Sequence, residues 1–206
     1  MSLKKLGNPK IAGLLLAAGS SSRLGQSKQL IQIENKTLLE QSLSILTNSN
    51  LNNVMTVLGF DAKNLLKILQ GLSTKICINS HWQNGMGSTL KFGVRELIEQ
   101  ESELNGILIS VCDQPFLTSE HINNLISLFK SNPNSIIASS YSNLEGVPVL
   151  FPISYIQELL KINDKSGAKS ILSKFTEQII SVDFIKGEID IDTQEDLIFI
   201  SSKTKL

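Results

Sequence analysis

Residues 14–28 read L-L-L-A-A-G-S-S-S-R-L-G-Q-S-K. The apolar run that ends here begins at Ile11 and is short and continuous, a pattern typical of a buried strand in a parallel sheet. The small residues that follow leave room for backbone N–H groups to close on an anion. Arg23 can grip phosphate oxygens with two hydrogen bonds, and Lys28 adds a mobile point charge. The stretch indicates a nucleoside triphosphate site, although a plain strand-to-loop junction with solvated cations has the same pattern.

Short apolar runs alternate with amphipathic runs along the next hundred residues. Strands are predicted over 11–17, 54–58, 75–78, 107–112 and 135–139, and helices over 37–46, 61–69, 88–99 and 118–130. This alternation predicts an α/β fold with a doubly wound, mostly parallel sheet and right-handed crossovers. Ligands of such sheets bind outside the carboxyl ends of the strands, so the segments after residues 17, 78 and 112 are expected on one face.

The pattern becomes less regular after Tyr141. It predicts a short strand over 146–152, short helices over 154–160 and 167–174, a strand over 178–182 and a last helix over about 193–201. No internal repeat, low-complexity segment or linker divides the chain. We therefore expect residues 1–206 to form a single domain.

The composition excludes several classes of protein. Nineteen basic residues balance nineteen acidic ones, which leaves no electrostatic footprint for nucleic acid or an anionic membrane. No apolar run approaches the ~20 residues of a membrane span, and no signal-peptide pattern is seen. Cys77 and Cys112 lie in predicted strands without a C-x-x-C pair, so they are interpreted as buried small apolar residues. A cytoplasmic protein is expected.

Two acidic regions are candidates for metal binding. Asp113 directly follows a predicted strand, at the ligand end of the sheet, where Mg²⁺ accepts one or two carboxylates together with phosphate oxygens and water. An aspartate in an ordinary turn gives the same pattern. Asp190 and Asp192 alternate along an extended run, so only one of them can face a given site.

Residues 79–88, N-S-H-W-Q-N-G-M-G-S, form a polar loop between a strand and a helix. Main-chain groups beside glycines and one tryptophan suit the recognition of a flat polar ring, although Trp82 suits a packing role equally well. His81 is interpreted as a surface residue and His121 as a structural one. Ser20, Ser21 and Ser22 have no histidine or aspartate partner in a known spacing, so a serine nucleophile is not predicted.

Five blocks of the sequence stand in a distinctive order. They are L-A-A-G-S-S-S-R-L-G-Q-S-K (16–28), N-S-H-W-Q-N-G-M-G-S-T-L (79–90), V-C-D-Q-P (111–115), G-V-P-V-L-F (146–151) and D-I-D-T-Q-E-D-L (190–197). In this order they resemble the signatures of the molybdenum cofactor cytidylyltransferase family within the MobA-like NTP transferases. Leu24 stands where the family has Met, and Gln194 where it has Pro at a first helical position; both changes look tolerable.

The resemblance implies a Rossmann-like nucleotidyltransferase fold and Mg²⁺-dependent transfer of CMP from CTP to a molybdopterin-type molybdenum cofactor, with release of pyrophosphate. By motif, the implied nucleotide-binding residues are Ala17, Ala18, Gly19, Ser20, Asn79, Gly85, Met86 and Ser88, the triphosphate-binding and catalytic residues are Arg23 and Lys28, and the metal ligands are Asp113 and Asp192. Guanylyl-transferring relatives carry L-A-G-G, so Ala18 favours CTP. Residues 11–140 would bind the nucleotide. Residues 141–206, with a small insertion, would bind the acceptor and complete the metal site.

The chemistry of the residues agrees with this implication. A phosphate acceptor is already a nucleophile at neutral pH, so cations that bridge the α-phosphate and the leaving pyrophosphate are what the reaction needs. Two alternatives stay open: nucleotidyl transfer to a sugar or alcohol phosphate, and a non-catalytic nucleotide-binding module of cofactor insertion. A molybdenum hydroxylase apoenzyme is the implied protein partner. A Rossmann dehydrogenase is disfavoured because G-S-S-S-R-L-G is not G-x-G-x-x-G.

Overall fold

The computed structural model describes residues 8–21, 24–33, 35–191 and 195–196. Its main sheet consists of β1 (Ile11–Ala17), β4 (Asn53–Leu58), β5 (Lys75–Ile78), β6 (Gly106–Val111), β7 (Ile136–Tyr141), β8 (Leu144–Pro152) and β9 (Ile179–Asp183), while β2 (Gln32–Ile33) and β3 (Lys36–Thr37) form a separate hairpin. The α-helices are α1 (Leu38–Thr47), α2 (Ala62–Leu69), α3 (Met86–Gln100), α4 (Ser119–Ser131), α5 (Ile156–Leu160) and α6 (Lys169–Leu172). None of the helices in these ranges is long and apolar enough to cross a bilayer.

The seven strands lie in the order β5–β4–β1–β6–β8–β7–β9. β1 pairs in parallel with both β4 and β6, and β7 pairs in parallel with β9. β8 runs antiparallel to β6 and β7 and lies between them. The prediction of a doubly wound, mostly parallel sheet is confirmed, whereas the predicted short strand over 146–152 is in fact a nine-residue interior strand.

A tight turn explains why β8 reverses direction. Ser142 and Asn143, the two residues between β7 and β8, both have positive φ, at 51° and 61°. Two such residues are the mark of a hairpin turn that matches the natural twist of adjacent strands. The chain therefore returns immediately beside β7, without the crossover helix that a parallel partner would need.

Side chains alternate along β1 and bury both faces of the sheet. Leu14 and Leu16 pack with α3, α5 and α6 on one face, whereas Ile11, Leu15 and Ala17 pack with α1, α2 and α4 on the other. Alternation of this kind is inherent to a strand, and a strand covered on both sides is apolar throughout. This is the physical origin of the continuous apolar run at 14–17.

A third, smaller cluster lies outside both layers. It joins Leu24, Ile31, Ile33, Leu38 and Ile191, all nearly inaccessible to solvent. We call these five residues the small core. It connects the loop after β1 with the segment that follows β9.

The structure differs from the sequence-based prediction at the starts of α2 and α3. The sequence predicts Asp61 as the N-cap of the helix over 61–69. Asp61 instead precedes α2 with a positive φ of 56° and makes no side-chain cap, and its carboxylate accepts from Asn64 Nδ2 at 2.8 Å. α3 begins at Met86, two residues earlier than predicted. The last predicted helix, over 193–201, falls outside the described residues except for 195–196, which are helical.

Candidate functional site

A cavity of about 380 Å³ opens at the carboxyl ends of β1 and β6. Its walls are the small residues 17–21 after β1, the Lys28–Gln29 pair, part of the 82–89 segment and the end of β6 at 111–113. The ends of β1, β5 and β6 therefore meet as the sheet topology predicts.

An ion pair between Lys28 and Asp113 lies in the wall of this cavity. Lys28 Nζ lies 2.6 Å from Asp113 Oδ2, and both side chains are mostly buried. Lys28 follows β1 and Asp113 follows β6, and these two strands are neighbours in the sheet. A cation suited to phosphate and a carboxylate suited to Mg²⁺ thus stand at one point.

The loop after β1 has open space beside it. A Cβ atom built on Gly19 would meet no other atom within 4 Å. The buried side chain of Gln29 donates from Nε2 to the carbonyl oxygens of Ala17 (3.1 Å) and Gly19 (2.9 Å). Sequence reasoning missed Gln29, since its partners lie ten and twelve residues upstream and no local pattern marks them.

Residues 79–89 divide between support and wall. Asn79 is buried and uses its amide within the protein: Oδ1 accepts from the His81 N–H at 2.9 Å, and Nδ2 donates to Thr89 Oγ1 at 3.2 Å. The Ser88 hydroxyl donates to the His81 carbonyl at 3.2 Å. Asn79 and Ser88 hold the segment from behind, whereas Gly85 and Met86 lie on the cavity wall.

Trp82 combines a packing contact with a place on the cavity wall. It lies on the cavity wall, and its ring packs edge-to-face with Phe60 at 5.5 Å between centroids. A Cβ at Gly59 would come within 2.8 Å of Ala18 Cβ and 2.6 Å of Trp82 Cβ. Gly59 therefore permits the close approach of two cavity walls, and His81 beside it is exposed as predicted.

The start of α3 is braced by the second half of the chain. The N–H groups of Gly87 and Ser88 donate to the Asp164 carbonyl at 2.8 and 3.2 Å, and Lys91 Nζ pairs with Asp164 Oδ1 at 2.5 Å. Gly85 has a φ of 126°, and a Cβ there would come within 2.5 Å of the same carbonyl oxygen. These glycines are needed because the 163–166 loop approaches so closely.

The segment after β9 is fastened beside Asp113. Gln114 Nε2 donates to the carbonyls of Val147 (3.0 Å) and Gly187 (3.1 Å). The Ile191 N–H donates to the Asp113 carbonyl at 3.2 Å. Asp192 and Arg23, two of the sequence-predicted site residues, lie outside the described residues.

His121 has a structural role, as predicted. It stacks on Phe184 at 4.7 Å between ring centroids, and its Nε2 lies 2.8 Å from Ser139 Oγ. Since the Ser139 hydroxyl donates to the Pro148 carbonyl, Nε2 is the donor to Ser139. Burial lowers the pKa of this imidazole below its usual range.

The donor set limits what metal the site could take. Within the ranges described, no group of three or more histidine, cysteine, aspartate or glutamate side chains converges on one point. Cys77 and Cys112 are free, buried thiols, and burial raises the pKa of each to about 12, so neither is a ready ligand. Among the described residues that line the cavity, Asp113 is the carboxylate, and a single carboxylate fits Mg²⁺, which completes its shell with phosphate and water oxygens.

Comparisons with known proteins agree with this geometry. The model of the MobA-like NTP transferase domain matches residues 13–179. The nicotine blue oxidoreductase of Paenarthrobacter nicotinovorans is 31% identical over 143 residues, covering 69% of this chain and 67% of that protein. The purine catabolism protein PucB of Bacillus subtilis is 27% identical over 174 residues, covering 80% and 82%.

Solved structures share the fold. Rv0371c from Mycobacterium tuberculosis superposes with a TM-score of 0.80 at 21% identity, over 96% of this chain and 100% of that one. Its complex with manganese gives a TM-score of 0.76 at 20% identity, over 94% and 98%. The family match spans most of the chain and includes the cavity walls, the Lys28–Asp113 pair and the braced start of α3. The chain belongs to the MobA-like NTP transferase domain family and is a nucleotidyltransferase.

Proposed function

We propose that this nucleotidyltransferase moves CMP from CTP to the terminal phosphate of a molybdopterin-type molybdenum cofactor, in the cytoplasm, with Mg²⁺. The observation that carries the proposal is the Lys28–Asp113 pair, 2.6 Å apart on the wall of a cavity that the small residues 17–21 also line. A cation and a carboxylate side by side provide one group for the triphosphate and one for its metal.

The reaction is a displacement at phosphorus. An oxygen of the acceptor phosphate forms a bond to the α-phosphorus of CTP, and the bond from that phosphorus to the pyrophosphate oxygen breaks. The nucleophile is already ionised at neutral pH, so no side chain has to remove a proton. Bound Mg²⁺ would neutralise charge on the phosphates and the leaving pyrophosphate.

The chain's own residues would align the substrates. Lys28 would leave its pairing with Asp113 to hold the triphosphate, together with Arg23, and Asp113 and Asp192 would hold the metal. Support for Asp192 comes from its neighbour Ile191, whose N–H donates to the Asp113 carbonyl. Manganese in the Rv0371c complex belongs to that protein, and it supports divalent metal use in this fold.

The nucleotide would lie against the loop after β1 and the start of α3. Four residues of the first loop would hold the nucleotide: Ala17, Ala18, Gly19 and Ser20. Gly85 and Met86 would contact the nucleobase, and Asn79 and Ser88 would support these two residues. Ala18 fits a pyrimidine nucleotide by resemblance. Residues 11–140 are thus proposed as the nucleotide-binding half, and residues 141–206 as the half that binds the acceptor and completes the metal site. A molybdenum hydroxylase apoenzyme is the proposed recipient of the product.

Release of pyrophosphate tests the proposal. The purified protein is incubated with Mg²⁺, molybdenum cofactor and either CTP, GTP or ATP. We expect release with CTP that requires both the cofactor and the metal. Asp113→Asn should lower turnover by roughly 10²-fold, because a metal contact is lost from the transition state. Asp183→Asn, at an exposed carboxylate of β9, is the matched control and should leave turnover unchanged.

The other outcomes separate the alternatives. Release with a sugar or alcohol phosphate in place of the cofactor would overturn the acceptor and keep nucleotidyl transfer. A preference for GTP would overturn the role of Ala18. Binding of CTP without turnover on any acceptor would instead favour a non-catalytic nucleotide-binding module.

A further inference from the structure

Gln29 stands out among the buried polar residues because its whole side-chain amide is engaged. Only 1% of the residue is exposed. Nε2 donates to the carbonyls of Ala17 and Gly19, at 3.1 and 2.9 Å, and Oε1 accepts from the Ser27 hydroxyl at 2.7 Å. Both N–H groups and the oxygen therefore have partners, and both main-chain partners belong to the loop after β1.

The orientation of this amide has only one solution. Main-chain carbonyl oxygens can only accept, so the NH₂ group must face Ala17 and Gly19. The Ser27 hydroxyl then donates to the oxygen on the other side. The Ser27 hydroxyl thus fixes the orientation of the Gln29 amide, and the Gln29 amide fixes the main chain of the loop after β1.

Fixing these carbonyls fixes the peptide N–H groups as well. In a planar trans peptide the C=O of one residue and the N–H of the next point in opposite directions. The Ala17 and Gly19 carbonyls are held by Gln29, and the intervening Ala18 carbonyl accepts from the Phe60 N–H at 3.1 Å. The directions of the N–H groups of Ala18, Gly19 and Ser20 follow from these three bonds.

Two of those N–H groups are left for a ligand. Within the part of the chain that the structure describes, the Gly19 and Ser20 N–H groups have no hydrogen-bond acceptor. Both residues line the cavity, and a Cβ on Gly19 would meet no protein atom. Donors of this kind, together with a nearby lysine, suit phosphate oxygens.

We propose that Gln29 is a positioning residue that orders the loop after β1, so that the Gly19 and Ser20 N–H groups receive oxygens of the nucleotide's triphosphate. The inference rests on the proposed function in so far as a nucleoside triphosphate occupies the cavity. Gln29 acts through the main chain, and the acceptor's identity does not enter.

Two substitutions at Gln29 separate the parts of this role. Gln29→Met keeps the volume and removes the donors, and Gln29→Glu sets a carboxylate oxygen against two carbonyl oxygens. Calorimetric titration with MgCTP measures affinity, and the fluorescence of Trp82, the only tryptophan, gives a second reading on the same cavity. We expect Gln29→Met to weaken CTP binding about 10-fold, the equivalent of about one ordinary hydrogen bond, and Gln29→Glu to weaken it further.

A matched control removes a similar bond elsewhere. Gln41 also donates from Nε2 to a main-chain carbonyl, that of Pro115 at 3.1 Å, but it does not touch the loop after β1. Gln41→Met should lower the thermal midpoint and leave CTP affinity unchanged. Ser27→Ala should weaken CTP binding less than Gln29→Met does, and the double variant should be no weaker than Gln29→Met alone.

Steady-state kinetics provides a readout that general destabilisation does not move. With Gln29→Met we expect the KM for CTP to rise while the KM for the acceptor stays unchanged. Wild-type CTP affinity in Gln29→Met would overturn the inference, and so would an equal rise in both KM values. CTP binding by the wild type without turnover would overturn the proposed reaction and leave the role of Gln29 standing. No nucleotide binding by the wild type would overturn both.

Discussion

The two loops that flank Asp113 use glycine for opposite purposes. In the loop after β1, a Cβ on Gly19 would meet nothing within 4 Å. In the segment after β9, a Cβ on Gly187 would come within 2.5 Å of Phe184 and 2.7 Å of Tyr141. The first loop has open space beside it, and the second is filled by the protein itself.

This difference separates the proposed binding loop from a segment that supports it. The carbonyl groups of the open loop accept hydrogen bonds from Gln29 and from the Phe60 N–H. These bonds fix the conformation of the loop. The filled segment joins Gln114 to Gly187 and so fixes the end of β6. A rigid supporting segment beside an open loop is the arrangement expected of a pre-formed binding site.

The largest effect is expected where the two sides meet. Lys28→Met keeps the aliphatic stem and removes the charge, so nucleotidyl transfer should fall by roughly 10²–10³-fold through lost stabilisation of the phosphates. Turnover measured as pyrophosphate release checks this. Lys75→Met, which removes a lysine paired with Glu101 at 2.6 Å far from the cavity, should leave turnover unchanged. Equal rates in wild type and Lys28→Met would place phosphate binding elsewhere.

A substitution in the segment after β9 should change the stability of the protein. Gly187→Ala puts a methyl group into the Phe184 and Tyr141 rings, so the free energy of unfolding should fall by about 1–3 kcal/mol. Urea denaturation gives this number directly. An unchanged midpoint would show that the aromatic pair can shift at no cost and that the segment is less tightly packed than the contacts indicate.

A substitution in the loop after β1 should change the affinity for MgCTP and leave stability unchanged. Gly19→Ala meets no protein atom, so its unfolding free energy should match the wild type within ~0.5 kcal/mol. The added methyl group occupies cavity space, and we expect MgCTP affinity to fall about 10-fold, as for other changes that displace a ligand from its donors. If instead Gly19→Ala unfolds more easily and binds CTP normally, the contrast between the two loops is wrong.

The smallest expected effect is the pH dependence of the free energy of unfolding that His121, stacked on Phe184, contributes. Burial lowers the pKa of His121, so the unfolded chain binds a proton there more tightly than the folded chain does. Stability should therefore decline as the pH falls below about 6.5. His121→Gln retains a donor toward Ser139 and does not titrate, so its unfolding free energy should decline less between pH 7 and pH 5. His81→Gln, at an exposed position, should decline like the wild type; identical slopes in all three proteins would contradict this role of His121.

Much of the fold follows from local patterns in the sequence. The continuous apolar run at 14–17 reflects burial on both faces, and the end of each parallel strand could be placed at one edge before any contact was known. The meeting of Lys28 with Asp113, 85 residues later, follows from that same topology.

The remainder depends on contacts that leave no local trace. The antiparallel return of β8 beside β7 follows from positive φ at Ser142 and Asn143, and only the asparagine is a residue type that favours this conformation. The motif implies that Asn79 is a nucleotide-binding residue, but it does not reveal that the Asn79 amide is engaged with His81 and Thr89 within the protein. Gln29 could not be predicted at all, because a polar residue beside a lysine has the composition of a surface turn.

The small core has a consequence for how the protein is made. Leu24, beside the first loop, packs in this cluster with Ile191, beyond the last strand. A chain emerging from the ribosome folds from its N-terminal side, but this cluster cannot close until residue 191 has been synthesised. A partly translated chain therefore has the loop after β1 without its final support. The small core therefore closes only after residues 24 and 191, from opposite ends of the described chain, have come together.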